Sequence, residues 1–458
     1  MLFRSCPTNV TYDGSPQTPC TATATGAGGL NVSVTVVYAN NTNAGTATAD
    51  ATYAGDANHD GSTATQVTFT IDKASSTTTI TCPTNVTYDG SPQTPCTATA
   101  TGAGALNVVV TVVYGNNTNA GTATADATYA GDANHDGSTA NQVTFTIDKR
   151  TLTASIINDP TKVYDGNANA TLAPGNFLLS NVVAGQNFTV TKTTGTYNTK
   201  DVAVANSVST TLAAGDFTPT GGANPNNYNL PTSASGPGHI TTKPLSITAD
   251  NKSFLFGDPL PTLTASYNGF VAGEGVGNLG GSLIFTIKNA SNVVVPYNGS
   301  TPSGTYTIIP SGLTSTNYAI TFVNGTLTIG AWTITGFYQP VDMNTTTLFI
   351  WNTIKGGSTV PLKFNIYAGP VGPLTERKNV SDVMFGTIQV AEIPCNASSG
   401  LDSLVDYVTN TGNTTLRYDS SGAQFIQNWQ TPKQPNKCYQ VRMTALDGSH
   451  IDAFFKTK

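Results

Sequence analysis

The sequence predicts an all-β chain built from tandem β-sandwich modules. Three observations lead there. Residues 6–73 return at 82–149 with four changes, Gly29/Ala105, Ser33/Val109, Ala39/Gly115 and Thr65/Asn141. The period of 76 residues is too long for a solenoid unit and suits a complete small β domain. Inside the repeat, apolar and polar residues alternate with period two, the mark of strands with one buried face. The composition also favours strands: Thr, Val, Ile and Tyr are plentiful, whereas Glu occurs only at Glu274, Glu376 and Glu392.

The first module, residues 1–73, opens with "CPTNVTYDGSPQTPC", in which Tyr12-Asp13-Gly14 reads as a turn between Cys6 and Cys20. "LNVSVTVVY" then places Leu30, Val32, Val34, Val36 and Tyr38 on the inner face of one strand. "TATADATY" turns Ala47, Ala49, Ala51 and Tyr53 inward, and "QVTFTID" turns Val67, Phe69 and Ile71 inward. The Ser33/Val109 exchange falls on the outer face, where size and polarity are least constrained. Residues 74–149 repeat this plan. Residues 150–243 carry the same turn as Tyr164-Asp165-Gly166, but Asn158 and Leu172 stand where the cysteines would be. A fourth module, residues 244–330, opens with "SFLFGDPLPTLTASYNGF" and closes with "YAITFVNGTLTIG". Residues 331–458 differ in composition and hold all three tryptophans, Trp332, Trp351 and Trp429.

The Tyr-Asp-Gly openings, the "YAGDANHDGS" hairpins and the terminal "FTIDK" strands resemble the bacterial MBG and YDG repeat modules over about residues 1–330. That resemblance implies immunoglobulin-like β domains of secreted and surface proteins. "GFYQPVD" followed by "GGSTVPLKFNIY" resembles the PxKF domain, with Pro361, Leu362, Lys363 and Phe364 as the motif. It implies a C-terminal β-sandwich-like domain with a late cysteine pair and no known catalytic activity. In that segment Val360, Leu362, Phe364 and Ile366 alternate inward, Lys363 is exposed, and Pro361, lacking an N–H, calls for an edge strand or a strand start.

Charged residues make up 10% of the chain and the net charge is −6, which excludes a basic nucleic-acid surface and a polybasic membrane patch. No run of eighteen apolar residues suggests a transmembrane helix. The first residues lack a signal-peptide pattern, so an export signal is expected upstream. The six cysteines, Cys6, Cys20, Cys82, Cys96, Cys395 and Cys438, fall into three local pairs without metal-site spacing. Disulfides and an oxidising compartment follow, with six free thiols as the alternative.

The strongest candidate for chemistry is "GDANHDGS". Asp56, Asn58 and Asp60, and again Asp132, Asn134 and Asp136, occupy positions 1, 3 and 5 of a calcium loop. Position 12 is Val67 or Val143 instead of Glu, so a plain hairpin is the preferred reading and no cofactor is expected. His59, His135, His239 and His450 lack any nucleophile–base setting. Trp332, Trp351 and Trp429 are candidate ligand-binding aromatics, with core packing as the competing role.

These readings point to a non-enzymatic extracellular or cell-surface protein. A stalk of repeats would present the C-terminal module to a surface, glycan or protein ligand. The alternatives are an accessory tail of a secreted enzyme and a self-associating surface-layer or fibre component. The joints at 72–76, 148–152 and 241–245 lack long Gly/Ser linkers and leave few free torsions. Modules of about 30 Å each should therefore form an elongated rod of somewhat over 100 Å. Small-angle scattering is expected to show a rod-like profile; a compact globular one contradicts the reading.

Overall fold

The computed structural model describes residues 2–346, 348–401 and 415–458. It is all-β, a series of two-sheet sandwiches of the immunoglobulin-like kind. The chain divides into two compact units, one of residues 1–162, 168–199 and 205–239, the other of 163–167, 200–204 and 240–458.

In the first module the strands are β1 (Leu2–Ser5), β2 (Asn9–Thr11), β3 (Thr21–Gly26), β4 (Leu30–Val34), β5 (Val36–Ala39), β6 (Gly45–Tyr53), β7 (Ser62–Thr63) and β8 (Val67–Asp72). One sheet has the order β1-β3-β4 and the other β2-β8-β6-β5, with β7 on the end of β6. The predicted inner faces of β6 and β8 hold: Ala47, Ala49, Ala51, Phe69 and Ile71 are buried. The single strand expected over residues 30–38 is instead two. The chain breaks at Thr35, and β4 and β5 pair in different sheets. Val32 stands opposite buried Ala24 on the inner side, but it is exposed because β4 is the edge of its sheet. One period-two pattern can run through such a crossover because the alternation continues while the pairing partner changes.

The second module repeats this arrangement, and its core joins Ala98 and Ala100 of one sheet, with Val110 bonded beside them, to Ala127 of the other. Val109, the counterpart of Ser33, is exposed, as expected for an outer-face exchange. Disulfides Cys6–Cys20 and Cys82–Cys96 close the loops that carry the Tyr-Asp-Gly turns. The loop is stitched a second time by a tyrosine: the Cys20 N–H donates to Tyr38 Oη (2.8 Å), which donates to the Cys20 carbonyl (2.9 Å). Tyr114 and Cys96 repeat the pattern. In the third module Leu172 is buried in place of the second cysteine, and the Asn158 side chain bonds the Gly175 carbonyl instead.

In the second unit, strands Lys243–Ala249, Ala265–Asn268 and Tyr318–Val323 form one sheet, facing a five-stranded sheet that includes Gly280–Lys288, Gly304–Thr314 and Gly325–Gly330. The C-terminal module has two sheets built around Thr359–Tyr367 with Gln424–Gln430, and Cys438–Thr444 with His450–Thr457. Val360, Leu362, Phe364 and Ile366 are buried. Lys363 is half-buried, and Thr359–Tyr367 is a central strand rather than an edge. Pro361 is tolerated because Thr333–Gly336 pairs only from Phe364 onward, leaving the strand start unpaired on that side. Cys395–Cys438 ties the ends of two neighbouring strands.

Replacing Cys82 and Cys96 by alanine frees a loop with a sequence separation of 14. The expected cost is about 3 kcal/mol, read as faster native-state hydrogen exchange across Thr97–Gly102. Unchanged protection there would contradict a stabilising role.

Candidate interface at the module joints

The Tyr-Asp-Gly turn has one job per residue. Asp13 caps the turn, accepting from the Ser15 N–H at 2.8 Å, and Asp89 does the same for Ser91. Gly14, Gly90 and Gly166 have φ of +89°, +88° and +84°, a backbone region that favours glycine. Each also lies against the following module. A Cβ on Gly14 would sit 2.4 Å from Gly104 Cα, one on Gly90 2.7 Å from Val183, and one on Gly166 3.0 Å from Val271.

The aromatic residue of the turn meets an aromatic residue of the next module, edge to face. Tyr12 packs on His135 (5.3 Å between centroids), Tyr88 on Tyr228 (5.5 Å) and Tyr164 on Tyr318 (5.5 Å). In the fourth module Phe256-Gly257-Asp258 replaces the turn, and Phe256 packs on Trp332 at 5.4 Å. Such ring pairs contribute about 0.5–1.5 kcal/mol beyond burial.

An asparagine directly precedes the receiving ring in three of the four joints. Asn134 Oδ1 accepts from the Ala44 N–H and Asn134 Nδ2 donates to Asn43 Oδ1. Asn227 makes the same two bonds to Ala120 and Asn119, and Asn317 to Val202 and Asp201. In the last joint Ser303 donates through its N–H and hydroxyl to the Asp447 carbonyl, while the Asp447 carboxylate accepts the Trp332 N–H. A third element is the connecting backbone, which runs parallel to the receiving residue: Ala74 bridges His135, Arg150 pairs Tyr228 and Lys243 pairs Tyr318.

The polar groups around each ring differ. Gln186 donates to Tyr88 Oη and accepts from Tyr228 Oη. Glu274 accepts from both Tyr164 and Tyr318 hydroxyls, at 2.6 and 2.5 Å. Burial pushes the Glu274 carboxyl up, but the two hydroxyls together with the nearby Lys200 charge hold the group below its ordinary value. At His135, Nε2 lies 2.9 Å from the Ala103 carbonyl and Nδ1 2.9 Å from the Asp132 carboxylate. Both partners are acceptors, so only the doubly protonated ring satisfies both. The Ala103 carbonyl first, and Asp132 after it, raise the His135 pKa against the effect of burial. The Tyr129 hydroxyl, the Asn134 N–H and His135 lower that of Asp132.

Of the calcium-like residues, Asp56 and Asp132 make turn contacts and Asn134 makes joint contacts. Asp56 accepts from the Asn58 N–H, His59 and the Tyr53 hydroxyl and is held down to about 2. Among the described residues no group of three or more His, Cys, Asp or Glu could hold a metal ion. The tryptophans do not form an exposed platform. Trp332 and Trp429 are buried, and Trp351 is half-buried against Phe349 and Phe454. Arg377, of the basic segment before Asn379, stacks 4.9 Å over Trp332 and pairs with Asp382. Sequence reasoning missed the joints, although their signal is present: an Asn-aromatic dipeptide in one module and an aromatic turn in the module before it.

Residues 148–236 match the YDG domain family and residues 245–328 the MBG domain, YGX type. No curated protein matches the chain in sequence. Among solved structures, the eight N-terminal Ig domains of Down Syndrome Cell Adhesion Molecule match at 10% identity and TM-score 0.18 over 98% of this chain. The chain spans 59% of that structure. The human desmocollin-1 ectodomain matches at 10% identity and TM-score 0.19, over 83% of this chain and 74% of the other. Among the described residues no helix is long and apolar enough to cross a membrane.

The His135 contribution has a defined sign. Its raised pKa means stability fully present below about pH 6.5 and lost as pH rises through the folded value. Asp132, lowered, contributes stability present above about pH 4 and lost at lower pH. Protection of the Ala44 and Ala74 amides, taken relative to their intrinsic exchange rates at each pH, should therefore be greatest between those limits. His135→Gln should flatten the alkaline limb; an unaltered profile would show that another group sets it.

Proposed function

We propose that this chain is a non-enzymatic, extracellular, adhesin-like structural protein in which clasped immunoglobulin-like modules carry a C-terminal interaction module. The observation that carries the reading is the repeated joint. Ring, asparagine and parallel backbone recur at three successive module boundaries, and a variant with Trp332 and Asp447 serves the fourth. A chain that invests its most constrained residues in module contacts is organised to hold modules in a fixed relation. The three disulfides suit an oxidising environment and support placement outside the cell.

We assign residues 331–458 to the PxKF type. The buried alternation around Pro361–Phe364 and the Cys395–Cys438 pair support that assignment. Its ligand is a surface, a glycan or another protein, with no nucleic acid and no cofactor. The Asp56 and Asp132 loops act as hairpins without calcium.

Deleting residues 74–149 removes one full period and leaves Tyr12 where Tyr88 was, with the same Asn-Ala-Gly hairpin beside it. Binding to immobilised glycans or cell surfaces should persist with shorter reach. Deleting 331–458 should abolish it. Full binding by the chain ending at residue 330 would place the function elsewhere.

A further inference from the structure

The first module carries the receiving half of a joint, and among the described residues nothing fills it. Asn58-His59 is the counterpart of Asn134-His135, within a loop identical in both copies from Tyr53 to Ala64. The ring is already set. His59 Nε2 lies 3.0 Å from the Ala27 carbonyl and Nδ1 2.9 Å from Asp56, matching His135 with Ala103 and Asp132. What differs is cover. The His59 side chain is 25% exposed and that of His135 is 5% exposed, because Tyr12 packs on His135. The Asn58 amide makes no side-chain hydrogen bond among the described residues, whereas Asn134 makes two.

We propose that this pole of the first module is a docking site for one further module of the same repeat class, presenting a free Tyr-Asp-Gly turn and an Asn-Ala-Gly hairpin. Three observations fix the occupant. The same surface, in the second copy, holds such a module. The turn at residues 12–14 and the turn at 88–90 are identical in sequence yet seat on His135 and Tyr228 respectively, so one turn sequence fits both a histidine and a tyrosine acceptor. A second copy of the chain has no free turn to offer, since Tyr12, Tyr88, Tyr164 and Phe256 are all seated. The inference rests on joint geometry and is independent of what the C-terminal module binds.

The test extends the full chain by a second copy of residues 6–81 placed ahead of Cys6, which keeps the 76-residue period. The added copy carries Gln at its His59 position, so that His59 can be followed by mass spectrometry during labelling with diethyl pyrocarbonate. In the parent chain His59 should react faster than His135, about fivefold by their exposures of 25% and 5%. In the extended chain His59 should slow to the His135 rate, and Tyr→Ala in the added turn should restore it while His135 stays slow. An unslowed His59 in the extended chain overturns the proposal. So does protection of His59 in the parent that grows with protein concentration, which would assign the surface to a second copy.

Discussion

The rest of the structure depends on one contact, an aromatic ring from a glycine turn set edge-on against an aromatic ring of the next module. A single ring pair is worth about 1 kcal/mol, too little to fix two domains. Its force comes from company. The asparagine amide adds two hydrogen bonds, each contributing about 1 kcal/mol, and the connecting backbone adds a parallel bridge. Ring, amide and backbone bridge come together at each of three joints.

That constraint explains which residues of the repeat cannot vary freely. The turn glycine needs positive φ and also the missing Cβ, because the neighbouring backbone or a valine methyl occupies the space. The aspartate holds the turn closed. The disulfide and the Tyr38 or Tyr114 hydroxyl brace the same loop from behind. In the third module, where the disulfide is missing, Leu172 packs into the core and the loop still delivers Tyr164 to its partner. The clip therefore stabilises the loop without being required for the joint.

The receiving side is chemically permissive. A histidine, two tyrosines and a tryptophan all serve, each with its own polar support. Asp132 and a carbonyl hold the histidine, Gln186 or Glu274 joins the paired phenols, and the indole N–H of Trp332 reaches the Phe256 carbonyl. A buried hydroxyl without a partner is costly, so a different ring brings a different second residue with it. The same logic takes Trp332 out of consideration as a ligand platform: it is the receiving ring of the last joint.

The sequence by itself determined the fold class, the repeat, the inward faces of Gly45–Tyr53 and Val67–Asp72, the buried Val360–Ile366 alternation and the three cysteine pairs. All of these are written in local spacing or in duplication, which survive without knowing what touches what. Tertiary structure alone decided that the strand over residues 30–38 divides between two sheets, because alternation reports burial and is blind to pairing partner. It also placed the second copy of "GDANHDGS" in a joint. Asn134 and His135 acquire their role from Asn43, Ala44 and Tyr12, about 90 residues or more away in sequence, and a contact across modules leaves no periodic trace in either one.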